Sequence, residues 1–165
     1  MSEAVIESGF ASVGEGAWLF GKGQPVAEYK GTSYCASSSR PFLARLDLGE
    51  KVSVVQDKLL VAPVAAKRKR RLIRVVPFSF KNAIAVFEME IGWAVMATAS
   101  RVRKMVVGDG ETLTVRPDAV VAWTGNRPTG FCPRLRLRDL FIPRKARLML
   151  NFHGPAIVWI EGGRD

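Results

Sequence analysis

The sequence predicts an all-β protein, a β-sandwich with two pseudo-repeated halves. Short apolar runs punctuated by 15 glycines and nine prolines recur along the chain, and no stretch sustains a 3.6-residue helical period. Segments such as Glu88-Met89-Glu90 and Arg134 to Arg138 alternate polar with apolar residues, as a strand with one buried face does. The third observation is an internal repeat. GEKVSVVQDKLLVAP from Gly49 (residues 49–63) and GETLTVRPDAVVAWT from Gly110 (residues 110–124) align without a gap, 61 residues apart.

Each copy reads as a GE turn, a strand with alternating apolar positions (Val52 and Val54; Leu113 and Val115), a second turn at Asp57 or Asp118, and another apolar strand. Two such hairpins imply two sheets of related topology packed face to face, each burying the apolar face of the other. The same hairpins also suit a cupin-like double-stranded β-helix barrel. A metal-bearing cupin needs two or three histidines and a carboxylate, and the chain has only His153, so the barrel alternative is a metal-free one.

Taken in order, residues 9–23 hold five glycines around Trp18-Leu19-Phe20, a short strand between loops, and Cys35 to Pro41 is turn-like. Beyond the repeats, strands are expected at Leu72 to Phe80, Ile84 to Ile91, Ala94 to Val102, Gly130 to Arg138, Ala146 to Phe152 and Ala156 to Glu161, all of ordinary strand length. At 165 residues, with 48% hydrophobic residues, the chain is expected to form one domain over residues 1–165 with a core of its own.

The 25 Lys and Arg against 15 Asp and Glu give a net charge of +10, which makes an anionic partner, nucleic acid or membrane surface, plausible. Cys35 and Cys132 stand far apart with no CxxC and fit neither a zinc site nor a disulfide framework, so reduced thiols and a cytoplasmic location are expected. The first residues carry Glu3 and Glu7 and do not read as a secretory signal. The longest apolar stretch, Ile91 to Ala99, is too short for a membrane helix.

Gly110 to Trp123 (GETLTVRPDAVVAW), followed by Phe152 to Trp159 (FHGPAIVW), resembles the altered-inheritance-of-mitochondria family, which has many bacterial members. Gly110, Glu111, Val115, Pro117, Val121, Ala122, Phe152, Gly154, Pro155 and Val158 match its pattern, and Ala156 stands where the family has a glycine. The resemblance implies a β fold like that of the tryptophan RNA-binding attenuation protein and a family without established enzymatic activity. RNA binding does not come with the fold, because function resides in sites.

Two groups of residues are candidates for anion binding. The run Lys67, Arg68, Lys69, Arg70, Arg71 and Arg74 puts six basic residues in eight positions and could hold phosphates by charge pairing and counterion release; otherwise it is a solvated turn or strand start. Arg134, Arg136 and Arg138, followed by Arg144, Lys145 and Arg147, would line one strand face; the competing expectation is that Glu88 and Glu90 neutralise them across strands. Phe78, Phe80, Phe131 and Phe141 flank these segments and read better as core than as stacking platforms.

No catalytic reaction emerges. One histidine, no GxSxG elbow and no GxGxxG spacing leave His153 with an expected structural role in a turn before Gly154-Pro155, and no cofactor or metal is implied. The sequence thus favours a non-enzymatic binding or scaffolding protein that forms a homo-oligomer, with a nucleic-acid or anionic-surface module as the alternative.

Overall fold

The computed structural model describes residues 6–7, 11–13, 17–21, 24–29, 33–35, 42–48, 51–63, 67–74, 83–90, 92–131 and 149–162. Their strands are β1 (Ile6–Glu7), β2 (Ala11–Val13), β3 (Ala17–Gly21), β4 (Gln24–Tyr29), β5 (Ser33–Cys35), β6 (Phe42–Leu48), β7 (Val52–Val55), β8 (Leu59–Pro63) and β9 (Lys67–Arg74). There follow β10 (Ala83–Glu90), β11 (Gly92–Thr98), β12 (Val102–Val107), β13 (Thr112–Val115), β14 (Val120–Thr124), β15 (Thr129–Phe131), β16 (Met149–His153) and β17 (Ala156–Glu161). A 3-10 turn, Gln56–Lys58, joins β7 to β8. The protein is all-β, as the sequence predicts.

Four sheets result: a first of order β1-β6-β11-β8-β3-β4, a second of order β12-β17-β14-β7-β10-β9, a third of order β13-β16-β15, and the pair β2-β5. The internal repeat extends well beyond the two segments legible in the sequence. Strands β6 to β11 correspond in order to β12 to β17, and the pairs β6–β11, β8–β11, β7–β10 and β9–β10 correspond to β12–β17, β14–β17, β13–β16 and β15–β16. Even an irregularity is duplicated. The β8–β11 register skips Leu60 and the β14–β17 register skips Val121, and these residues occupy the same place in the two repeat copies.

One expectation needs correction: the repeat segments are not hairpins. β7 joins the second sheet while β8 joins the first, and β13 joins the third sheet while β14 joins the second. The physical reason lies in the apolar runs after each turn. Val120 to Trp123 buries successive residues with no polar face to leave in water, so β14 must enter a layer covered on both sides, while Leu59 and Val61-Ala62 are buried where β8 crosses into the first sheet.

That covered layer is the second sheet. On one face its Val52, Val54, Phe87, Met89, Val121, Ala122 and Trp159 pack with Leu59, Ala62, Ala94 and Met96 of the first sheet. On the other, Val55, Ile73, Val86, Val107, Val120, Trp123 and Val158 pack with Val115, Leu150 and Phe152 of the third. Trp123 meets Phe152 edge-on, with ring centroids 5.6 Å apart. The sandwich therefore has three layers where two are expected, with one sheet buried on both faces.

Polar contacts lock the repeats together. Lys58, at the end of the 3-10 turn, is buried; its Nζ lies 2.9 Å from Glu161 Oε1 and donates to the Asp118 carbonyl at 2.6 Å. First and second copies thus share one ammonium. The GE turn of the second copy is tied to the C-terminal motif: Glu111 Oε2 accepts from Gly108 N, and Gly154 N donates to the Glu111 carbonyl at 3.0 Å. A Cβ on Gly154 would lie 1.7 Å from Gly108 O, so only glycine fits.

Two substitutions test these locks by chemical denaturation. Gly154→Ala should lower stability by at least about 2–3 kcal/mol because the backbone must move. Gly110→Ala, at φ +75 with nothing within 4 Å of the new methyl, should cost only about 1 kcal/mol. Lys58→Ala leaves the Glu161 carboxylate largely buried without its ammonium and should cost about 3–5 kcal/mol.

Candidate anion-binding strand

The basic run forms the whole of β9, among the described residues the last strand of the second sheet. It pairs antiparallel with β10, setting Lys67 opposite Glu90, Lys69 opposite Glu88, and Arg74 opposite Ala83. An edge strand exposed in this way is kept from pairing with other chains by charged side chains. Its apolar end, Ile73, is buried in the core, whereas Leu72 is 62% exposed.

The run divides by contact. Arg71 Nε lies 2.6 Å from Glu88 Oε2, and Arg127 Nη2 lies 3.5 Å from the other oxygen of the same carboxylate. Arg70 Nε donates to Gln56 Oε1 at 2.8 Å, and Gln56 is itself buried in the 3-10 turn. Arg68 is half-buried, while Lys67 and Lys69 are exposed. Arg70 and Arg71 are thus held by the fold, and Lys67 and Lys69 face solvent.

Among the described residues, Glu88 pairs with Arg71 and Arg127. Arg134, Arg136 and Arg138 lie outside the described residues, as do Cys132, Phe78, Phe80 and Phe141. Sequence reasoning missed a second basic edge. β12 closes the other end of the same sheet and exposes Arg103, Lys104, Met105 and Val106, with Arg101 exposed just before it. Both ends of the buried sheet therefore carry positive charge.

His153 is the exposed last residue of β16, one position earlier than the expected turn. Its Nδ1 lies 3.0 Å from Thr112 Oγ1 on β13 and its Nε2 lies 3.5 Å from Thr129 Oγ1 on β15. Beside it, Thr114 Oγ1 donates to Asn151 Oδ1 at 2.8 Å. The outer face of the third sheet is thus a neutral polar strip whose groups satisfy one another across strands. Among the described residues, no three His, Cys, Asp or Glu side chains converge as metal ligands would.

Comparison with known proteins returns a fold. No family model matches the chain, and no curated protein matches it. Among solved structures, a Streptococcus pyogenes protein determined by X-ray crystallography as a structural genomics target is similar to it, with a TM-score of 0.66 and 13% identity over 96% of this chain and 94% of that one. At that identity the likeness concerns architecture alone.

The contacts of β9 separate structural from solvated charge. Lys67→Ala and Lys69→Ala should each change stability by less than about 0.5 kcal/mol. Glu88→Ala removes the carboxylate shared by Arg71 and Arg127 and should cost about 1–2 kcal/mol, read from the same denaturation curves.

Proposed function

We propose that this protein acts by binding and scaffolding, without catalysis, and assembles with copies of itself. One observation carries the reading. The third sheet has three strands where the other two large sheets have six, and among the described residues β13 pairs on one side only, with β16. Its counterpart β7 pairs on both sides, with β10 and with β14. A strand position that is filled in one repeat and open in the other calls for a partner. The resemblance to the altered-inheritance-of-mitochondria family belongs to this reading, because Gly110, Glu111 and Gly154 frame the turn that precedes the open strand.

A second reading is favoured by β9, where Lys67, Lys69 and Arg70 stand exposed in sequence along one sheet edge. There the protein would hold phosphates of a nucleic acid or an anionic surface. Among the described residues, no helix is long and apolar enough to cross a membrane.

Light scattering of the purified chain at low and high salt, with and without a generic RNA oligonucleotide, separates the two. Self-assembly predicts an oligomer of defined mass that RNA does not alter. A monomer that forms a complex with RNA, lost steeply as salt rises, would replace the first reading with the second.

A further inference from the structure

We infer that β13 is the assembly edge, and that it pairs antiparallel with β13 of a second copy about a twofold axis at Leu113. This rests on the self-assembly reading and names its surface. Joining two third sheets in this way makes, among the described residues, one of order β15-β16-β13-β13-β16-β15.

Backbone direction fixes the register. Gly154 N donates to the Glu111 carbonyl while Glu111 N donates to Gly108 O, so residues 111 and 154, next in the Thr112–His153 register, stand at a hydrogen-bonded position with one of its two bonds made. In an antiparallel ladder that character alternates. Leu113 and Val115 therefore turn their backbone groups toward β16, opposite Phe152 and Leu150, while Thr112 and Thr114 turn theirs to the outer edge. Outward-directed residues must face each other, and the register that overlaps the whole strand sets Thr112 against Thr114 of the second copy, twice, with Leu113 against its own copy on the axis. Each Thr112–Thr114 pair then exchanges both its N–H···O bonds.

The first repeat shows that this position accepts a strand. β7 receives β14 antiparallel at Val52, Ser53 and Val54, the residues that align with Leu113, Thr114 and Val115. Side chains support a second copy as occupant. Thr112 and Thr114 are exposed and neutral, their hydroxyls are held within the sheet by His153 and Asn151 so that the outer edge offers backbone groups without charge, and half-buried Leu113 already rests on the core. The basic edges are unsuited to self-pairing. β9 would bring its Lys67, Lys69 and Arg70, and β12 its Arg103 and Lys104, toward the same charges of another chain already carrying +10.

Sedimentation equilibrium of the full chain over a wide concentration range tests the assignment through a charge swap. Thr112→Lys with Thr114→Lys sets lysine against lysine twice and should weaken dimerisation by about tenfold or more. Thr112→Glu with Thr114→Lys sets opposite charges in both pairs and should restore it. In the wild-type dimer the Thr112 and Thr114 amides should exchange slowly, and dilution to monomer should speed them. An oligomer whose mass and affinity ignore the lysine pair, or which the Glu–Lys variant fails to restore, overturns the β13 assignment and leaves self-assembly standing. A chain that stays monomeric at every concentration overturns both.

Discussion

The architecture depends on one sheet being buried on both faces. Its six strands come from both repeats, β12, β17 and β14 from the second and β7, β10 and β9 from the first, joined where β14 lies against β7. Because apolar residues leave both faces, the first and third sheets must cover it, and the chain turns corners at Gln56–Lys58 and at residues 116–119 to put them there. The Lys58 ammonium follows from the same constraint. It sits where the two corners approach, in a largely buried place where Glu161 and the Asp118 carbonyl supply opposite charge and an acceptor.

Edges explain much of the charge distribution. Among the described residues the second sheet ends in β9 on one side and β12 on the other, and both end strands carry lysines and arginines. A composition of +10 read alone points outward to an anionic partner, yet part of it is tied inward, Arg71 to Glu88 and Arg70 to Gln56. What distinguishes β13 is the absence of such charge on a strand whose repeat counterpart is paired on both sides.

How much of this the sequence discloses follows from locality. Glycine and proline punctuation and alternating segments are local, so the all-β class and strands such as β10 and β17 are readable to within a residue or two. β12 escapes because its interior, Arg103 to Val106, is exposed on both faces and shows no period of two. β9 is read as a turn or strand start for a related reason: an edge strand need not alternate. Sheet membership is not local, which is why the repeat units resemble hairpins in sequence and cross between layers in space. Lys58 leaves one trace, a lysine set directly before the apolar run Leu59 to Ala62, but its partners Asp118 and Glu161 come from the distant second repeat.

The seam between β7 and β14 also shapes the life of the chain before it is folded. Val54 meets Ala122 only after a long loop closes, and such late contacts slow folding. During synthesis the first repeat leaves the ribosome with the β7 edge and the apolar side chains of Val52 and Val54 uncovered until β14 follows. Over that interval the exposed lysines of β9, attached to the nascent sheet through β10, present like charge to other copies of the chain, which opposes their pairing with the uncovered strands.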